Sequence, residues 1–232
     1  MAVSAVRLID ELLDRATLSA SPSDMEDEME RLFIFSIVWA IGSLLEQEER
    51  PSFDHYLRCR SRPNNEQKQT EGKDSGVDET AGGLFPRCKA GETVFDYVVS
   101  TDTLMWENWS EHVVPWEYPE DVEVIGYSNL LVPTADTTRA MFLLEHLHSR
   151  GNPVMLVGTC GTAKTCTALM YFEAHSDAET MQLKKVNFSS ATTSGLFQST
   201  IENELDKRGG RSFGPPSGRK MTVFLDDLNM PE

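Results

Sequence analysis

The sequence predicts an α/β fold with a parallel sheet, preceded by a helical segment, and three observations carry that reading. A short apolar run at 154–157 leads into a glycine-bearing loop that ends in Lys164 and Thr165, and helix-compatible residues follow. A second apolar run, 221–225, ends in the pair Asp226-Asp227. Between them, 183–188 reads as another strand and about 194–207 as another helix. Helix and strand alternate, which is the signature of parallel-sheet α/β domains.

The loop is the most informative stretch. Residues 158–165 read Gly158-Thr159-Cys160-Gly161-Thr162-Ala163-Lys164-Thr165. This matches the phosphate-binding pattern Gly-x-x-x-x-Gly-Lys-Ser/Thr, with Ala163 where the second glycine usually stands. Unpaired N–H groups in such a loop and at the following helix start can wrap an anion at the positive end of the helix dipole. Lys164 adds a point charge for the β- and γ-phosphates, and Thr165 offers a hydroxyl to Mg²⁺. The alanine methyl is harmless if residue 163 takes right-handed helical angles, which is the expectation here. Residues 154–157 are expected to be a buried strand, bounded by Gly151-Asn152-Pro153 before and by glycine after.

The run ending in Asp226-Asp227 has the shape of a Walker B segment. A carboxylate at a strand's end, on the same sheet edge as a phosphate loop, can hold Mg²⁺, usually through water, and Asp226 is assigned that role. Asp227 stands where many such ATPases carry a glutamate that orients the attacking water. Aspartate is one methylene shorter, so its carboxylate sits about 1–1.5 Å further back, enough to slow chemistry greatly.

Composition narrows the classes. The 232 residues suit one or two domains, and the net charge of −16 with a pI near 4.7 argues against nucleic acid or anionic membrane as a partner. Cys59, Cys88, Cys160 and Cys166 lack metal-ligand spacing and no signal peptide is recognisable, so reduced thiols in the cytosol are expected. The five histidines are scattered and read as surface or packing residues. The one long apolar run, 32–45, has 14 residues between acidic flanks and falls short of the roughly 20 needed to cross a bilayer. It reads as a buried helix.

Along the chain, residues 4–20 form an amphipathic helix with Val6, Ile9, Leu12 and Leu13 on its apolar face. Ser21-Pro22-Ser23-Asp24 breaks it and caps the next helix, which carries the apolar run. From residue 60 to about 91 the composition turns polar, and a linker or surface insertion is expected. Residues 94–130 read as short extended pieces and turns, with Trp106, Trp109 and Trp116 as packing residues. Thr134 to Thr137 supply an N-cap for a helix over about 137–150, with Met141, Leu144 and Leu147 buried and Gly151 ending it. Residues 209–218 read as a Gly/Pro loop.

With these residues in view, the chain resembles dynein heavy chains, the axonemal ones especially. The matching pieces are Val94-Phe95-Asp96-Tyr97, Trp106 and Trp109, and the run from Leu131 through Pro133 to Arg139. They continue with 153–165, the run Asn187-Phe188-Ser189-Ser190-Ala191-Thr192-Thr193, Phe213-Gly214-Pro215-Pro216, and 223–231. Together they resemble the start of the motor's third AAA+ module, while 25–58 resembles the closing helices of the second. The implied domains are 1–59, the end of the preceding module; 60–92, a polar linker or insertion expected to be disordered; and 93–232, the first half of a nucleotide-binding module. Ala163 and the paired aspartates are variations that axonemal dyneins share.

The resemblance implies an incomplete P-loop NTPase core of AAA+ type, a three-layer αβα arrangement, that binds ATP or ADP with Mg²⁺. Leu131, Val132 and Pro133 would line the adenine pocket, with the loop and the two aspartates around phosphate and metal. Implied partners are the other AAA+ modules of the same heavy chain, intermediate and light chains, and microtubules, in the cytoplasm, cytoskeleton and ciliary or flagellar axoneme. In that family the sheet order is 5-1-4-3-2, so the strand at 154–157 would lack its neighbours here, and little or no ATPase activity is expected of this chain alone. Two other readings compete: a free-standing P-loop ATPase or kinase, and a truncated non-catalytic interaction fragment.

Overall fold

The computed structural model describes residues 2–61, 84–117, 132–175 and 180–231, which form two compact units dividing between Met155 and Leu156. The first unit holds α1 (Ala2–Arg15), α2 (Pro22–Ala40), α3 (Arg50–Arg60), the strands β1 (Tyr97–Val99) and β2 (Trp106–Asn108), and α4 (Ala135–His148). In α1 the buried apolar residues are Leu8 and Leu12, one turn apart, with the Glu11 side chain buried beside them, while Val6 is exposed. Pro22 starts α2, where its missing N–H costs nothing. The apolar run does not continue as one helix: α2 stops at Ala40, a short 3-10 turn covers Gly42–Leu44, and Leu44 is exposed. Gly42 is required there, because a Cβ would meet Phe95 Cζ at 2.6 Å. Among the described residues no helix is long and apolar enough to cross a membrane.

The core of this unit is aromatic. Phe35, Trp39, Phe95 and Trp109 are buried, and Phe142 from α4 meets Phe35 edge-on at 6.0 Å and Trp109 at 5.4 Å. Trp106 packs as expected, its indole N–H donating to the Leu84 carbonyl at 2.8 Å, whereas Trp116 is more than a third exposed. Residues 62–83 of the expected linker lie outside the described residues. Beyond it Phe85 and Pro86 are buried, Phe85 beneath the Arg58 guanidinium, while Arg87, Lys89, Ala90 and Gly91 are exposed.

The capping signals behave as their chemistry dictates. Thr134 is the N-cap of α4: its hydroxyl accepts from Thr137 N at 3.2 Å, and the Thr137 hydroxyl accepts from Thr134 N at 2.7 Å. Gly151, at φ 73°, closes the other end, with its N–H on the His148 carbonyl. Charged residues tie this end of α4 to α1. Arg150 reaches Glu11 and Asp14, Arg15 pairs with Glu145 at 2.8 Å, and Ser149 donates to Glu11 at 3.0 Å.

The second unit holds α5 (Lys164–His175), β3 (Met181–Asn187), α6 (Ser194–Glu202), β4 (Asp206–Gly209), β5 (Ser212–Gly214) and β6 (Lys220–Asp226). β3 and β6 pair in parallel, in register from Met181 opposite Lys220 to Asn187 opposite Asp226. Three expectations need correction. Residues 154–157 form no strand, and Met155 and Val157 are 71% and 81% exposed, because no strand among the described residues pairs with this segment. The helix at 194 ends at Glu202, five residues short of its expected end. The Gly/Pro loop contains instead a β4–β5 hairpin, whose Gly209-Gly210 turn depends on Gly210 at φ 56°.

Candidate phosphate-binding site

Helical and strand periodicities together build the site. Thr165, Ala168 and Phe172 lie three and four residues apart and so share one face of α5. Phe224 and Asp226 lie two apart and share one face of β6. The two faces meet: Phe172 and Phe224 pack ring against ring at 5.8 Å, and Ala168 is buried between the helix and its surroundings. That contact sets the first turn of α5 beside the carboxyl end of β6. There the Thr165 hydroxyl donates to the Asp226 carboxylate, 3.1 Å from Oδ1 and 3.2 Å from Oδ2. Asp226 is further held in place by its carbonyl, which accepts from Phe188 N at 3.0 Å.

The loop closes around its lysine. The Lys164 ammonium donates to the carbonyls of Gly158 at 3.0 Å and Thr159 at 2.7 Å, and to the Thr162 hydroxyl at 3.2 Å. Thr162 in turn donates to the Thr159 carbonyl at 2.9 Å. All three ammonium donors therefore point into the loop. Gly158 is tight, since a Cβ there would come within 3.1 Å of Thr162 Oγ1, and Gly161 turns the chain at φ 77°. Cys160 lies exposed on the outer side of the turn.

Residue 163 departs from expectation. Ala163 sits at φ 56°, in the left-handed region, not at right-handed helical angles. It stands at the head of α5, where its carbonyl accepts from both the amide and the hydroxyl of Thr167, at 2.8 and 2.9 Å. A left-handed non-glycine residue costs about 1–2 kcal/mol, so glycine's usual presence at this position has a local cause. Asp227 is also left-handed, at φ 56°, and its amide turns back onto Asp226 Oδ1 at 3.2 Å. Its side chain is exposed beyond the strand end.

The donor set suits a hard divalent cation. The Thr165 hydroxyl and the Asp226 carboxylate are oxygen donors of the kind such a cation takes, and they stand together at the end of β6. The first N–H groups of α5 have no carbonyl partner within their own helix, which leaves them to an anion.

Comparison with known proteins then decides the family. A model described as the P-loop containing dynein motor region matches residues 116–232, and one for the dynein heavy chain AAA lid domain matches residues 1–111. The chain belongs to the dynein motor family. Among the dynein relatives, the flagellar outer arm dynein gamma chain of Chlamydomonas reinhardtii is 37% identical over 202 residues, which is 87% of this chain. Dynein axonemal heavy chain 5 of Rattus norvegicus is 38% identical over 205 residues, 88% of the chain. Dynein axonemal heavy chain 9 of Homo sapiens is 32% identical over 231 residues, 99% of the chain. The chain spans only about 4–5% of the length of these dyneins. Nucleotide binding is the chemistry of this P-loop family, and the dynein motor is an assembly in which such modules act together.

The dynein resemblance also named three adenine-pocket residues. Leu131 lies outside the described residues. Val132 is about half exposed and Pro133 partly buried, and both belong to the first compact unit, before the Thr134 cap.

Proposed function

We propose that this chain is an AAA+ segment of an axonemal-type dynein heavy chain that binds ATP or ADP with Mg²⁺ and contributes to microtubule-based motor activity and its regulation in cilia or flagella. The observation that carries the reading is the contact between Thr165 and Asp226, which joins the two halves of a nucleotide site across 61 residues of sequence. In this reading the loop from Gly158 to Ala163 surrounds phosphate with its amides. Lys164 exchanges one loop partner for a phosphate oxygen. Mg²⁺ would be held by Thr165 and Asp226, and when bound it would neutralise phosphate charge. Asp227 is proposed as the water-orienting carboxylate, and Leu131, Val132 and Pro133 are proposed to line the adenine pocket.

The domain reading follows the same lines. Residues 1–59 are proposed as the end of a preceding module, 60–92 as a connecting stretch, and 93–232 as the first half of the nucleotide module. The partners proposed are the remaining modules of the heavy chain, with intermediate and light chains and microtubules engaged through the whole motor, and the axoneme as the place of action.

Calorimetric titration of the chain with ATP and ADP, each with and without Mg²⁺, tests the site. The expected result is Mg²⁺-dependent binding that is weakened tenfold or more by Lys164→Ala. Equal heats for the native chain and Lys164→Ala would remove the phosphate-loop assignment.

A further inference from the structure

The β4–β5 hairpin takes no part in the site described above, yet its chemistry is distinctive in so acidic a chain. Residues 206–220 carry five cations, Lys207, Arg208, Arg211, Arg219 and Lys220, against the single carboxylate of Asp206, a local charge of +4. The chain as a whole is at −16.

The hairpin is a built structure, and one of the five cations does the building. Arg208 donates to the Pro215 carbonyl at 2.9 Å and to the Arg219 carbonyl at 3.2 Å, bracing the hairpin against the segment that enters β6. Gly214 is buried beneath it, and a Cβ there would meet Arg208 Nε at 2.6 Å. Lys207, Arg211 and Lys220 are all exposed, and none of the three forms an ion pair among the described residues. Phe213, directly opposite Lys207 in the ladder, is 61% exposed. Cross-strand partners point to the same face, so an aromatic ring and a lysine stand side by side at about 5 Å between their Cβ atoms. The exposure of Phe213 alone is ordinary, but an aromatic ring set among three cations is the combination of residue types that interfaces enrich.

We propose that this hairpin docks an acidic polypeptide segment that also presents an apolar side chain. Its carboxylates meet Lys207, Arg211 and Lys220, and its apolar group covers Phe213. A polypeptide fits better than nucleic acid. Three unengaged cations and one ring match a few carboxylates and one side chain, whereas a nucleic acid strand needs a continuous cationic track and successive stacking surfaces. Long-range repulsion from the −16 chain also grows with every phosphate added.

The test is fluorescence anisotropy of a labelled peptide of alternating glutamate and leucine titrated with the chain. A matched lysine and leucine peptide and a labelled single-stranded DNA serve as competing probes. The glutamate peptide should bind tightest, and its affinity should fall as salt is raised. Joint Lys207→Glu and Arg211→Glu reversal should weaken it about tenfold or more, and Phe213→Ser about threefold to tenfold. Arg208 is left intact because it holds the hairpin together. Thermal melting of each variant checks the fold, and the milder Lys207→Gln with Arg211→Gln replaces any reversal variant whose melting is altered. Unchanged peptide affinity in a normally folded variant overturns the proposal, as does tighter binding of the lysine peptide or of the DNA.

Discussion

The Thr165 hydroxyl donates to both oxygens of the Asp226 carboxylate, at 3.1 and 3.2 Å, although 61 residues separate the two in sequence. The pair is brought together by an apolar contact one layer below, Phe172 on Phe224. If the two oxygens act as one cation site, removing either should affect nucleotide binding through the same interaction. Thr165→Val and Asp226→Asn should each weaken binding in Mg²⁺ and change little without it. Their double-mutant cycle should give a coupling of about 1–2 kcal/mol. Additive effects would separate the two residues functionally.

Lys164 is expected to matter more than Thr165. Its ammonium meets phosphate charge directly, and a charge-assisted bond contributes about 1.5–3 kcal/mol. Lys164→Ala should therefore cost at least tenfold in nucleotide affinity, and Thr165→Val less at saturating Mg²⁺. Equilibrium binding of a fluorescent ATP analogue ranks the two, and the reverse order would refute the direct phosphate contact.

Ala163→Gly should stabilise the loop. The alanine is held at φ 56°, so glycine removes a left-handed penalty of about 1–2 kcal/mol while adding about 0.5–1 kcal/mol of backbone entropy cost. The expected net gain is about 0.5–1 kcal/mol, read as a shift in the denaturant midpoint at constant slope. A loss of stability would mean that the methyl makes a favourable contact of its own.

Stability should fall in two separate windows as the solution is acidified. His146 is buried against the Phe142 ring, its Nδ1 bound to the Phe142 carbonyl, and burial lowers its proton affinity despite that bond. Arg15 opposes protonation further, while Glu145 and Glu11 favour it. The unfolded chain then binds the proton more readily, so stability is lost as pH drops below about 6.5, by at most about 1.4 kcal/mol per pH unit for one site. Glu11 behaves as a depressed carboxylate: burial pushes it up, but Arg150, Ser149 and Arg15 outweigh that. Its contribution is present above pH 4.5 and is lost as pH falls below that value. Denaturation across pH with His146→Gln should show the upper window flattened and the lower one kept; an unchanged upper slope would assign it elsewhere.

Much of the site was legible because its chemistry is written locally. A glycine loop followed by lysine and threonine needs only neighbouring residues to make its anion cradle, and an apolar run ending in aspartate needs only the strand period. The Thr134 cap and the Gly151 stop were equally local. The residues that misled did so for non-local reasons. An apolar tetrad at 154–157 has strand composition, but a strand exists only with a hydrogen-bonded neighbour, and none is supplied among the described residues. The left-handed angle at Ala163 follows from how the loop enters α5, which no side-chain pattern encodes.

The sequence by itself determined the alternation of helix and strand around the loop at 158–165, the acidic character and the membership in the dynein family. Each of these depends on residue type and order along the chain, with no need to know which segments touch. Only the tertiary structure decided which residues meet: Thr165 with Asp226, Lys164 with its own loop carbonyls, Arg208 with the Pro215 and Arg219 carbonyls behind the hairpin. The reason is physical. Periodicity fixes the face on which a side chain stands, but packing and sheet register fix what stands opposite it, and those depend on contacts between segments far apart in the chain.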